Sequence, residues 1–181
     1  MLNGDDLLER LKSCLGHIGL RYLPAKSHII WKMPLTDCRI EELFVSARSC
    51  NAGLLLYANM KLHVEPSARA LAAEYLARVN YGLILGNFEL DMNDGEVRFK
   101  TLYPVCGEAD DLFLIKCVYN LELMFQRYGD GLLSVIFGYD TPEHAVYAIE
   151  NSGEEDSDEN GEGGEDGGNG EDGGNGEDGE E

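Results

Sequence analysis

From residue 151 onward the chain contains only Gly, Glu, Asp, Asn and Ser, and Gly-Gly-Asn-Gly-Glu-Asp at 167–172 repeats at 173–178. Such a stretch has no side chain with which to build a core, so everything that packs must come from the first 150 residues. The sequence therefore predicts one domain over residues 1–150 and a disordered acidic tail over residues 151–181. By Gly-rich chain statistics such a tail spans about 30 Å end to end, and charge repulsion extends it.

The tail also explains the charge. It holds 14 of the 34 acidic residues and none of the 14 Lys and Arg, so the −20 of the whole chain becomes 14 − 20 = −6 for residues 1–150. Nucleic acids and anionic membranes are bound by clustered cations that release counterions, and this balance argues against both. The expected partner is a protein, through a basic or amphipathic segment. The opening Met-Leu-Asn-Gly-Asp-Asp is neither the cationic start of a signal peptide nor part of a long apolar run, which leads to the expectation of a cytoplasmic protein.

Within the domain, Leu7, Leu8, Leu11, Cys14, Leu15 and Ile18 recur at helical spacing behind Asp5 as a candidate cap. Short β-branched and aromatic runs follow at 20–23, 28–33, 42–48 and 54–64, separated by Pro24, Pro34 and Asn51-Ala52-Gly53, and read as antiparallel strands. Ala68, Leu71, Ala72, Tyr75, Leu76 and Val79 line one side of a second helix that ends near 80–82. Asp94-Gly95 then predicts a tight hairpin, with residue numbers summing to 189: Leu90 opposite Phe99, Met92 opposite Val97, Glu89 opposite Lys100 and Asp91 opposite Arg98. Trp31 and Tyr57 are expected to be core residues of their strands.

Residues 110–128 are apolar nearly all round a third helix, with Lys116, Asn120 and Arg127 as its only polar strip. A sheet covers one side of a helix, so the excess predicts a cover from residues 132–137 or from a partner, with Leu114, Val118 and Phe125 as candidate protein-interface residues in a homodimer or client complex. Thr141-Pro142 reads as the cap and first position of a last helix. The fold class is thus α+β, an antiparallel sheet of about five to six strands packed against helices.

Two segments carry a family resemblance. Residues 80–91 (NYGLILGNFELD) followed by 94–100 (DGEVRFK), and residues 133–138 (LSVIFG) with 141–145 (TPEHA), resemble the central and C-terminal parts of the YbjN-like family. That resemblance implies a type III secretion chaperone-like fold for residues 1–150 and a chaperone-like or regulatory binding module; it supplies no catalytic residues.

Chemical motifs give no competing reading. His17, His28, His63 and His144 fall in different elements without H-E-x-x-H spacing, and Gly-x-Ser-x-Gly and the Walker and Rossmann glycine patterns are absent. An EF-hand beginning at Asp91 would need Gly at 96 and Glu at 102, where Glu96 and Leu102 stand. The tail's six-residue period lacks the nine-residue spacing and inward apolar residue of calcium-binding β-rolls. The five cysteines form no C-x-x-C pair, and Cys14 and Cys117 sit on apolar helix faces as reduced core thiols. No enzyme, cofactor or metal is expected. The function predicted is non-enzymatic protein binding with a flexible acidic tail; the alternatives are an accessory subunit of a larger complex and a cation-buffering acidic protein.

Overall fold

The computed structural model describes residues 2–25, 27–105 and 107–152; the tail from 153 on, and Cys106, lie outside the described residues. The chain runs α1 (Gly4–His17), β1 (Leu23–Pro24), β2 (His28–Pro34), β3 (Glu42–Cys50), β4 (Gly53–Met60), α2 (Arg69–Gly82), β5 (Asn87–Leu90), β6 (Val97–Pro104), α3 (Asp111–Ile136) and α4 (Pro142–Asn151). The strands form one antiparallel sheet in the order β1-β2-β3-β4-β6-β5.

Period-two patterning dictates which face is covered. Ile29, Trp31 and Met33, then Leu43, Val45 and Ala47, then Leu54, Leu56 and Ala58, then Val97, Phe99 and Tyr103 all point inward and are buried. Against this face pack α1, through Leu7, Leu8, Leu11 and Leu15, and α3. Helices α2 and α4 pack on each other and on α3, and α2 also flanks β5.

Local chemistry sets the ends of the elements. The cap of α1 is Asn3, not Asp5: its side chain accepts from the Asp5 and Asp6 N–H groups while Asp6 accepts from the Asn3 N–H at 3.0 Å, a reciprocal capping box. Asp110 caps α3 and Thr141 caps α4, with Pro142 at the first helical position. The β5 edge is closed by Asn80, whose amide oxygen accepts from the Phe88 N–H at 2.8 Å and whose amide nitrogen donates to the Phe88 carbonyl at 2.9 Å.

Two expectations change. The β5–β6 register sums to 187, with Phe88 opposite Phe99, Glu89 opposite Arg98 and Leu90 opposite Val97. The turn is longer than two residues: Asp91 N–H bonds Glu96 C=O, Gly95 N–H bonds Asp91 C=O, and only Gly95 of the Asp94-Gly95 pair has positive φ, at 84°. Arg69 holds this loop by donating to the carbonyls of Val64, Met92 and Asn93. A shift of two residues keeps Leu90, Val97 and Phe99 on one face and Glu89, Arg98 and Lys100 on the other, which is why alternation alone could not detect it; Met92, expected opposite Val97, is instead exposed in the turn.

The second change is α3, which does not stop near Tyr128 but continues unbroken through the 132–137 segment to Ile136. Gly129 and Gly131 sit inside it because neighbours come close. A Cβ on Gly131 would lie 2.5 Å from the Tyr75 hydroxyl, and one on Gly129 would lie 2.7 Å from Ile40 Cδ1.

Candidate protein-binding surfaces

The three positions named for an interface lie in the domain's own core: Leu114, Val118 and Phe125 are each 0% exposed. They are corrected to the opposite arc of the same helix, where Leu112, Tyr119 and Leu123 are 63%, 51% and 54% exposed at i, i+7 and i+11, beside Lys116. The sequence signal for this is the polar strip itself: Lys116, Asn120 and Arg127 lie beside this exposed arc, and Leu114, Val118 and Phe125 lie on the side opposite it. Helix α3 packs against β4, β6 and α1.

The broader surface is the sheet face turned away from the helices, which no described element covers. Strand registers arrange it in rows. One row is His28, Arg48, Leu55, Leu102; the next is Ile30, Ser46, Tyr57, Lys100, Asn87; the third is Lys32, Phe44, Asn59, Arg98, Glu89. Ile30, Phe44, Leu55, Tyr57 and Leu102 give it apolar area, all of them half-buried or exposed. Tyr57 is therefore a surface residue of its strand, whereas Trp31, facing inward, is core.

The cations of this face are supported by its aromatics and acids. The Arg98 guanidinium stacks over Tyr57 at 4.8 Å and donates to Glu89 at 2.7 Å, and Lys32 lies over Phe44 at 5.1 Å while pairing with Glu42 at 2.6 Å. Lys100 donates to the same Glu89. Partial burial by itself raises the Glu89 carboxyl, but the bonds from Lys100 and Arg98 outweigh it and hold the group below the usual carboxylate range. Arg48 makes no ion pair among the described residues and borders a shallow depression of about 390 Å³ with His28, Ser46, Tyr57 and Arg98.

Groups that could carry chemistry are dispersed. Burial pushes the Cys117 thiol up to about 11 and raises Cys14 and Cys38 as well, which disfavours thiolates. His17 bonds the Ser13 carbonyl and His144 bonds Asp140, on different helices. Among the described residues no three His, Cys, Asp or Glu side chains form a metal-holding group, and no helix is long and apolar enough to cross a membrane.

An open antiparallel sheet with helices on one face and the other face uncovered by any described element defines an α+β domain. In particular, the chain adopts a YbjN-like fold. A solved structure of YbjN from E. coli, described as a proposed transcription regulator, superposes with a TM-score of 0.52 at 19% identity, covering 66% of this chain and 85% of that one. No family model and no curated protein matches the sequence.

Proposed function

We propose that this chain is a non-enzymatic, chaperone-like regulatory module that binds an extended or amphipathic segment of another protein across its open sheet face. The observation that supports this most directly is the combination, on one uncovered face, of apolar Ile30, Phe44, Leu55, Tyr57 and Leu102 with Lys32, Arg48, Arg98 and Lys100. Soluble domains seldom leave contiguous apolar area on a sheet without a use, and rows of outward apolar side chains suit a segment laid across them. Lys32, Arg98 and Lys100 are already paired with Glu42 and Glu89, which leaves Arg48 to favour an acid on an otherwise amphipathic segment; this departs from the basic segment that the net charge suggested. The description of the E. coli structure as a proposed transcription regulator agrees with a regulatory outcome of such binding.

A second reading, as a homodimer or an accessory subunit of a larger complex, draws on the α3 stripe of Leu112, Tyr119 and Leu123. One experiment separates the two. A photo-crosslinking residue is placed in the full-length protein at Tyr57, at Tyr119 or, as a control, at Ser13, and adducts from the native cell are identified by mass. The sheet-face reading expects a different protein attached at Tyr57 and none at Ser13, while the α3 reading expects a second copy or a fixed subunit at Tyr119. Equal labelling at Tyr57 and Ser13 would overturn the sheet-face assignment.

A further inference from the structure

The first edge of the sheet contains a gap. Leu23 pairs with Ile30 and Pro24 with Ile29, and the same register continued backward would set Tyr22 against Trp31 and Arg21 against Lys32. The ladder stops at Leu23 instead, because the Leu20 N–H is taken by the Leu15 carbonyl at the end of α1 at 2.9 Å and the connecting residues leave the sheet. Between them opens a groove of about 450 Å³ walled by Leu20, Tyr22, Leu23, Ile30, Trp31 and Phe44. That volume falls within the range of small-molecule sites, about 300–1,000 Å³.

The polar groups at this groove all favour an anion. Arg21 and Lys32 complete its lining, which includes no carboxylate; Lys32 is already paired with Glu42 outside the groove at 2.6 Å, whereas Arg21 makes no ion pair among the described residues. Ala25 N–H donates to the His28 carbonyl, so by ladder alternation residues 28, 30 and 32 turn their main-chain groups toward β1. Because β1 ends opposite Ile30, the Lys32 N–H lies beyond the ladder as a further donor. Trp31 borders the groove from the core side of the sheet; it is 2% exposed and its indole N–H is buried, so it contributes no donor to the groove.

We propose that this groove binds a small amphiphilic carboxylate, its apolar body against Tyr22, Leu23, Ile30 and Phe44 and its carboxylate held by Arg21, with the Lys32 main-chain N–H as a second donor. The site lies at the sheet's edge and shares Ile30, Lys32 and Phe44 with the face proposed for a client, but binding a small carboxylate there requires no client. Trp31 is the only tryptophan in the chain and lines the groove, so its fluorescence reports occupancy directly.

The test titrates the full-length protein with octanoate, octanol and octylamine while following Trp31 emission, with circular dichroism to confirm that the fold persists. Octanoate should give a saturable change with half-saturation on the order of 1 mM, as expected for a ligand of its size. Octanol should bind more weakly and octylamine least. Arg21→Gln alters an exposed side chain and should weaken octanoate about tenfold while leaving octanol unchanged. Leu23→Glu, also at an exposed position, should abolish octanoate binding by setting a carboxylate at the groove mouth. No saturable change with octanoate, an equal response to all three probes, or unaltered octanoate binding in either variant would overturn the proposal; the equal response would show an apolar crevice without anion preference.

Discussion

Glu89 shows how a single residue can hold a predicted role with different partners. Its charge and outward direction follow from the alternation of β5, but sequence pairing opposed it to Lys100 alone, whereas the structure gives it both Arg98 and Lys100. Its folded-state pKa is depressed, so the stability it contributes is present above the ordinary Glu value near about 4.3 and is lost as pH falls through the lower folded value. Glu89→Gln should therefore lower the unfolding free energy at neutral pH by about 1 kcal/mol, a figure already reduced for the group's partial exposure. In urea titrations from about pH 7 down to about pH 3, the gap between the two proteins should close. A gap that stays constant would mean that the loss comes from packing and not from charge. Asp91, the partner first expected for Arg98, instead accepts from the Asn93 N–H in the turn, so reversing its charge should couple to Arg98 much less than a change at Glu89 does.

At the scale of elements, α3 is the part of the fold that patterning described least well. The sequence reading ends this helix at Tyr128, but α3 continues through Gly129, which lies against Ile40 of the β2–β3 connection, and Gly131, which lies against Tyr75 of α2. Tyr75 of α2 is fully buried and donates to the Tyr128 carbonyl at 2.7 Å, leaving no room over Gly131, where Ile149 Cδ1 also lies 2.8 Å from an added Cβ. In an unobstructed helix Gly→Ala stabilises by about 1 kcal/mol. Gly131→Ala should instead destabilise by about 2 kcal/mol through overpacking, and Tyr75→Phe in that background should restore part of the loss. Gly129→Ala should stay within about 1 kcal/mol of the parent, since its obstruction is the terminal methyl of Ile40, which can rotate. Thermal unfolding of the four proteins measures this; a stabilised Gly131→Ala would show that the two helices are not held at the distance described.

For the whole molecule, all core residues lie before α4 ends at Asn151, and residues 153–181 contain no apolar side chain. Truncation after Ser152 should leave the melting temperature within about 2 °C, while the removal of 14 acids takes the net charge from −20 to −6 and lowers solubility. A larger fall would show that the acidic segment contacts the domain. The amino-acid sequence by itself determined what depends on local spacing: the number and type of the elements, the apolar face of the β5–β6 hairpin, and the cap at Thr141. The tertiary structure alone decided what depends on several elements meeting: the two-residue shift of the β5–β6 register and the continuation of α3 past its glycines. It also decided that one whole sheet face stays open and that the chain leaves the sheet before Leu23. The reason is physical. Alternation and helical period state that a residue must be covered, but coverage is a property of neighbours distant in sequence, and only their packing selects which of several equally apolar positions receives it.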